Sequence, residues 1–575
     1  MVRVRKVEIR NFRGIRELAW LPKPGINCLI GHGDSGKSTI LDAIDICLGA
    51  RRTIQISDAD FHQLDTDSPI TITLTLGDLD DSLKAMDAYG LYLRSFSAAT
   101  GEFEDEPKRD TETVLTLQFS VGNDLEPVWT LISERASTQN ATRNLAWADR
   151  ARLAPTRIGA VGENNLSWRR GSVLNFLSDE SPDVSAALLK AARDARSSFG
   201  ESAEEQLRDV LELVSKTATE LGVPVGERAK ALLDAHSVSF TGGTISLHDE
   251  DGIPLRGLGA GSSRLLVAGL QRAAAKMASI ILIDELEIGL EPHRIVRLLG
   301  SLGAKESPCP LQAFVTTHSP TVLRELKGSQ LLIVRDTTQR HQVIEAGDDD
   351  DVQSTIRRFP EAFLAPSVIV CEGASEVGFL RGIDYHRTAR GETGIGAIGV
   401  ALVDAGGGDV VHYRANAFRR LGYRTAILRD DDKKPSEELE RSFKEAGGAV
   451  ICWRDSRALE DELFLSVPTA CVSKLIDRAA EIHGGELINE HIKTSSGNRT
   501  DLNKLRDELL RGALSDESRV VLGKASRFRN TGWFKSVTWM EEAARDIVGP
   551  DLEKSDPAFQ DIVRSVFEWS VGGPV

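Results

Sequence analysis

Apolar and polar positions change their period several times along the chain, and each change marks an element. VRVRKVEIRNF (2–12) alternates every second residue, as a half-buried strand does. INCLIG (26–31) is a short apolar run that reads as a buried strand. STILDAIDICLGA (38–50) has helical spacing, while ITITLTL (70–76) and TVLTLQF (113–119) again read as strands. From 182 to 235 apolar residues recur every three or four positions among Ala, Glu and Arg, which predicts a helical insertion. Strand-like sequence returns at 237–247, and ASIILIDEL (278–286) is a buried strand ending in acids. GDDDD (347–351) is expected to be a solvated linker, because consecutive acids diverge in direction. A second α/β alternation begins at 366 and passes through SVIVCEG, AILRDDD (426–432) and AVICW (449–453); beyond 465 the spacing is helical. The pattern predicts an α/β protein whose parts are 1–170, the insertion 171–236, 237–350 and 351–575.

Composition changes this picture little. A chain of 575 residues with 41% hydrophobic and 27% charged residues has material for two or three cores. Six scattered cysteines without a CxxC predict a reduced cytoplasmic protein without structural zinc. The start has no apolar signal segment and no run is long enough to span a membrane, so a soluble protein is expected. A net charge of −16 argues against a surface that coats nucleic acid, but leaves room for a local basic groove.

The first candidate chemistry is GHGDSGKS (31–38), a full GxxxxGK[ST] between a strand and a helix. Gly31, Gly33 and Gly36 let the backbone curl so that its N–H groups face phosphate, helped by the helix N-terminus. Lys37 is placed for the β- and γ-phosphates and Ser38 for Mg²⁺; Asp34 and Thr39 complete the expected ATP contacts. Downstream, Asp284 ends a strand where it can hold Mg²⁺, Glu285 is positioned to polarise water, and His318 in TTHSP (316–320) can sense the γ-phosphate. GLGAGSSRLLVAGL (257–270) opens a helix before that strand.

The second is acidic. SVIVCEG delivers Glu372 at a strand end, with Glu376 on the next helical turn; GYRTAILRDDD delivers Asp430 and Asp432, two apart and on one side, with Asp431 turned away. Oxygen-only ligands suit Mg²⁺ or Mn²⁺ and not zinc. RALEDEL (457–463) adds Glu460, Asp461 and Glu462. RVVLGKASRFRNTGWFK (519–535) carries five cations and no acid, with Phe528, Trp533 and Phe534 interleaved. In an acidic chain this suggests phosphate contacts, with aromatics for unstacked bases or for packing.

The order of the first motifs, with Glu291–His293 (EPH) and then THSP, resembles an ABC-type ATPase head of the RecF/SMC-related group. That resemblance implies a dimer in which the signature, here Gly259, Gly261 and Ser262 in place of LSGGQ, caps the partner's ATP. About 240 residues separate the two nucleotide motifs and only about 55 form the insertion, too few for long coiled-coil arms. A strand-end Glu followed by a DxD at another strand end resembles a Toprim domain. A head followed by Toprim is the architecture of the OLD (overcoming lysogenisation defect) nuclease family, which the chain resembles over nearly its whole length.

The OLD resemblance implies a fold of ABC ATPase, helical dimerisation insertion and Toprim domain with a helical C-terminal part. Glu372, Gly373 and Glu376 match its EGxxE segment, Asp430 and Asp432 its DxD, and Glu460 its further acid, with Glu462 as fallback. Lys535, or else Lys524, matches its C-terminal lysine, and GGG (406–408) its glycine-rich turn. It implies two Mg²⁺ ions (Mn²⁺ or Ca²⁺ as alternatives) and endonuclease action on DNA. It also implies a homodimer through heads and insertion, with a tetramer left open. Anti-phage defence beside a helicase or reverse-transcriptase partner follows by analogy only. The rival readings are a non-cutting ATP-dependent DNA clamp with a scaffold Toprim domain, and a topoisomerase, which needs a nucleophilic tyrosine; none of the five tyrosines lies in an evident winged-helix module.

Overall fold

The computed structural model describes residues 2–158, 207–213, 247–273 and 279–572, apart from 52, 99, 253, 338–339, 409 and 529, together with Leu174, Lys190 and Asp194. The expected helical insertion therefore lies outside the described residues, as does most of the strand-like stretch 237–247. The chain divides into two compact units. One comprises Met1–Leu29, Gly36–Glu325 and Asp336–Val343; the other comprises Ile30–Ser35, Leu326–Arg335 and Ile344–Val575.

The first unit contains two sheets. Seven antiparallel strands include Ile15–Trp20, Arg3–Phe12, Ile70–Gly77 and Glu112–Val121, side by side in that order. A second sheet runs Thr156–Ile158, Ile280–Ile283, Gln312–Thr316, Ile26–Ile30, all parallel. Ile280–Ile283 is wholly buried, which is why its sequence is a continuous apolar run and not an alternation. The buried Gln312 side chain ties the sheets together: Oε1 accepts from Val4 N (2.8 Å) and Nε2 donates to the carbonyls of Val4 and Lys23 (3.0 Å each). Parallel strands send their C-terminal ends to one edge, so the residues after Ile30, Ile283 and Thr316 emerge together.

The second unit holds a four-stranded parallel sheet ordered Val400–Asp404, Ser367–Cys371, Arg424–Arg429, Ala449–Cys452. The chain enters at Ser367–Cys371, moves to one side for its second strand and crosses to the other for its third. The crevice beyond Cys371 and Arg429 is thus a topological switch point, where open α/β sheets bind ligands. Register places Cys371 opposite both Asp404 and Leu428, so Glu372, the glycines 406–408 and Asp430 leave the same edge. Helices then pack around a core that includes Phe379, Trp453, Phe464, Trp533 and Phe559.

One expectation needs correction here, and one open alternative is decided. Residues 347–351 are not simply linker: Asp349 stands at the N-terminal boundary of the helix Asp350–Arg358, and Asp350 and Asp351 sit in its first turn, where carboxylates complement the helix dipole. Trp533 and Phe534 are fully buried and Phe528 stacks on His491 with ring centroids 4.2 Å apart, so these aromatics pack and do not wait for bases.

The helix Ala374–Ala389 that carries Glu376 is held by close backbone approach. A Cβ on Gly378 would lie 2.5 Å from the Val537 carbonyl oxygen, and one on Gly382 would lie 2.3 Å from that of Glu541. Gly382→Ala is therefore expected to destabilise this unit by about 1–3 kcal/mol through overpacking, read as a lower urea midpoint with intact nucleotide binding.

Candidate functional sites

Gly36 adopts φ 84 and caps Lys37–Leu48. Gly31 also has positive φ, and a Cβ there would meet the Val334 carbonyl oxygen at 2.7 Å. The loop needs glycine at both positions for backbone reasons before any phosphate is considered. Lys37 is buried and Ser38 exposed, with Gly33 and Asp34 at the exposed tip and Thr39 half-buried. Ser38 Oγ donates to Asp284 Oδ1 (3.0 Å), so the two expected Mg²⁺ ligands already face each other. Hydroxyl plus carboxylate is a hard-oxygen pair that fits Mg²⁺.

Thr316 Oγ1 donates to the same Asp284 oxygen (2.6 Å) and accepts from Glu285 N (2.8 Å), which fixes the turn where Glu285 stands exposed with φ 47. His318 is exposed, and its backbone N donates to Glu287 Oε1 (2.7 Å), whose other oxygen accepts from Thr317 Oγ1 (2.6 Å). Glu287 went unnoticed in the sequence, although it stands two residues beyond Glu285. Arg157 was also missed: it pairs with Asp42 (2.6 Å) and approaches Asp284 to 3.8 Å, and no local motif surrounds it.

The signature glycine has a structural cause as well. A Cβ on Gly261 would meet the Gly289 carbonyl oxygen at 2.1 Å, and Ser262 Oγ accepts from Arg294 (3.1 Å) on the helix opened by Glu291–His293. Arg264, one turn on, is buried and donates to the carbonyls of Glu285 (2.6 Å) and Leu286 (3.2 Å). The helix Ala260–Ala273 is thereby tied to the turn bearing Asp284 and Glu285.

In the second unit the acids from three segments converge. Glu372 Oε2 accepts from Asp430 N (3.0 Å), and its Oε1 from Gly408 N (3.4 Å); Gly407 N donates to the Glu372 carbonyl (2.7 Å). Gly406, Gly407 and Gly408 all have positive φ, a run that only glycine follows cheaply, and its product is a cradle for Glu372. Glu376 Oε2 accepts from Gly373 N (2.8 Å), capping its own helix. Asp430 Oδ1 accepts from Leu459 N (3.0 Å), and Ser375 Oγ donates to Glu460 Oε1 (3.2 Å), which joins the Leu459–Ser466 helix to the strand ends. Each of these side-chain bonds engages one oxygen of its carboxylate, while Glu372 uses both.

Burial, and then repulsion from Glu460 and Glu372, raises the Glu376 carboxyl to about 8. Burial, and then repulsion from Glu376, Glu460 and Glu372, raises Asp430 to about 10. Glu372 and Glu460 are raised too, burial first, with Lys535 partly offsetting Glu460. Acids pushed up by one another are a site short of positive charge, and an all-carboxylate set fits a hard divalent cation by donor chemistry. Among the described residues, however, no three His, Cys, Asp or Glu side chains are arranged to hold a metal ion.

The remaining candidates sort clearly. Asp431 accepts from Ser456 N (2.9 Å), away from the cluster as expected. Asp432 pairs with Arg527 (3.1 Å), and so does Asp461 (3.2 Å). Glu462, the fallback acid, is wholly buried between Arg454 (2.8 Å), Arg457 (3.2 Å) and Ser466 (2.7 Å), so its charge is already spent. Lys535 is exposed beside Glu460 with its stem over Gly532, whereas Lys524 is simply exposed on its helix. Arg519 is a correction: it donates to the carbonyls of Phe464 and Val467 and to Thr469 Oγ1, and is not a free phosphate ligand. Arg529 lies outside the described residues.

Together, the glycine loop, Ser38–Asp284 and the parallel strand ends define a P-loop nucleotide site. Residues 26–324, more than half of the chain, match the family described as "AAA domain, putative AbiEii toxin, Type IV TA system", and the chain belongs to that family. No curated protein matches the chain. Among solved structures it is similar to an Smc head bound to the C-winged helix domain of ScpA. Identity there is 15%, coverage is 61% of this chain and 99% of that one, and the TM-score is 0.35. An Smc head with an extended coiled coil, bound to the C-terminal domain of ScpA derived from Pyrococcus furiosus, is 12% identical (63% and 100% covered, TM-score 0.34). The SMC head domain from Thermotoga maritima is 13% identical (60% and 98%, TM-score 0.28). Likeness at this level says nothing about activity. No described helix is long and apolar enough to cross a membrane.

Two outcomes are expected. Glu462→Ala removes the buried partner that Arg454 and Arg457 share, while leaving them Asp556 and Asp455, and should cost about 1–3 kcal/mol, whereas Glu460→Gln should not destabilise, by chemical denaturation in EDTA. Glu376 and Asp430 keep protons in the folded chain that the unfolded chain releases near pH 4. Cation-free stability should then fall as pH rises from about 4 towards about 8 and beyond, since the folded state binds more protons. Asp430→Asn, which keeps the bond from Leu459, should raise the thermal midpoint in EDTA at pH 8 and leave it nearly unchanged at pH 4.

Proposed function

We propose that the protein is an ATP-regulated, divalent-cation-dependent DNA endonuclease of the OLD kind, with ATP bound at Lys37, Ser38 and Asp284. The observation that carries this reading is the convergence of Glu372, Glu376, Asp430 and Glu460 at the switch point of a parallel sheet, each acid raised by burial. Those four, with Asp432, would hold the cations, whose chemistry is to supply a hydroxide nucleophile and neutralise a leaving oxygen. Lys535, beside Glu460, is placed to meet charge growing on a phosphate. Glu285 and His318, both exposed beyond the nucleotide strands, would serve ATP hydrolysis, and Gly261 and Ser262 the partner's nucleotide in a head dimer. A family described by a toxin suits an activity held off until it is needed, and an ATPase gating a nuclease is of that type.

The non-cutting clamp keeps one observation in its favour: no three described acids yet surround a point. For the topoisomerase, Tyr423 and Tyr89 are already engaged, by the Phe363 carbonyl (2.6 Å) and by Asp149 (2.6 Å), and no observation singles out the exposed Tyr385 or Tyr413 as a nucleophile.

Supercoiled plasmid incubated with Mg²⁺ or Mn²⁺, with and without ATP, tests the reading. Nicked or linear product is expected from wild type, with a drop of about 10- to 100-fold or more in Glu372→Ala and Asp430→Ala, since losing even a residue that only supports a metal ligand costs about that much. Lys37→Ala should remove only the response to ATP. Intact plasmid in every lane from a protein that still hydrolyses ATP would leave the clamp.

A further inference from the structure

The cation-poor acid cluster is not uniformly poor. Glu376, Asp430 and Glu460 form its inner part, with Lys535 alongside Glu460. Asp432 and Asp461 form an outer part, felt by Glu372 on one side, and there a cation is already in place. One nitrogen, Nη1 of Arg527, lies 3.1 Å from Asp432 Oδ2 and 3.2 Å from Asp461 Oδ2. Gly523 makes this approach feasible: a Cβ there would lie 2.7 Å from Asp461 Oδ1, so the Asp516–Ser526 helix, which Arg527 caps, rests directly on Asp461.

Arg527 is held differently from Arg519 and Arg454, which tie this unit's helices together. Arg519 donates three bonds, two of them to carbonyls, and Arg454 reaches Glu462, Ser466 and Asp556. Arg527 bridges two acids through a single nitrogen, while its buried Nε has no hydrogen-bond partner among the described residues. A guanidinium normally takes carboxylates as a fork of two bonds. Used as a point charge with one donor stranded, it is poorly committed to its place and cheap to move. Its position, between two carboxylates at hydrogen-bond distance, is also one that a divalent cation would compete for.

We propose that Arg527 is the resident counter-cation of Asp432 and Asp461, and that a divalent cation binding these carboxylates displaces it and frees it for a substrate phosphate. The inference rests on the nuclease reading and names a substrate-binding residue within it. Displacement makes cation and arginine competitors for the same oxygens, so removing one must tighten the other, by linkage. It also makes the arginine available to anions only after the cation has arrived, which orders loading before DNA engagement.

Mn²⁺ titration of the full-length, nucleotide-free chain, followed by calorimetry and by the loss of free-Mn²⁺ resonance signal, tests this without reading activity. Glu372→Gln/Asp430→Asn/Asp432→Asn/Asp461→Asn, which neutralises both parts of the cluster, serves as the blank. Arg527→Gln should bind its weaker Mn²⁺ on the order of ten-fold more tightly than wild type, while Arg527→Lys, which keeps a charge, should stay near wild type. At saturating Mn²⁺ Arg527→Gln should bind duplex DNA more weakly, and in EDTA the two should bind it alike. Unchanged or weakened Mn²⁺ affinity in Arg527→Gln, with Arg527→Lys confirming that the fold is intact, would reduce Arg527 to a structural tie and leave the nuclease reading standing. Absence of any Mn²⁺ binding above the blank in wild type would overturn both.

Discussion

Carboxylates buried within reach of one another cannot all be ionised unless something positive joins them. That constraint governs the second unit. The sheet register that brings Cys371 level with Asp404 and Leu428 forces Glu372, the glycine turn and Asp430 to one edge. Ser375 and the Leu459 amide then draw the Glu460 helix onto the same point. Nothing in packing requires four acids there. Apolar residues of similar size would fill the space without the desolvation cost, so the cluster is a charge held ready at the expense of stability.

The chain also spends local interactions on keeping these acids oriented while uncompensated. Glu372 is cradled by Gly408, Glu376 caps its own helix through Gly373, and Asp430 receives the Leu459 amide. Backbone N–H groups are suitable for this, because they stabilise a carboxylate without neutralising it and without blocking its remaining lone pairs. The close-packed glycines 378 and 382 extend the same logic outward, fixing the helix that bears Glu376 against Val537 and Glu541. The nucleotide site of the first unit is arranged by similar means: Thr316, Glu287 and Arg264 pin the turn around Asp284 and Glu285 through hydroxyl, carboxylate and guanidinium bonds.

Much of this was legible in sequence because the elements that matter are short, buried and parallel. Ile280–Ile283 and Ser367–Cys371 read as uninterrupted apolar runs, each followed at once by acids, and a strand end is the one place where such a change of character has a single structural meaning. The glycines were legible for a similar reason, since 31, 36 and 406–408 stand where a chain leaves a strand. What sequence could not supply was pairing between segments far apart. That Glu462 is neutralised by Arg454 and Arg457 while Glu460 faces Asp430 depends on helical phase to within one residue. The aromatics of 528–534 looked available because a basic stretch surrounds them, yet packing took Trp533 and Phe534 into the core and set Phe528 on His491.

The basic stretch itself shows how charge reversal in a sequence divides once it is folded. Arg519 is consumed by the carbonyls at the end of the Leu459–Ser466 helix, Arg527 by Asp432 and Asp461, and Lys524 and Lys535 stay exposed. Among the described cations of this stretch only the last two are exposed as a phosphate would require, and only Lys535 is so beside the acid cluster. A basic run is therefore less a ready groove than a set of cations assigned one by one. A guanidinium with two carboxylates on one nitrogen and a stranded Nε is the member whose assignment a divalent ion can change most cheaply. In a unit whose acids outnumber their counter-charges, the order in which cations arrive then decides which arginine becomes available, and when.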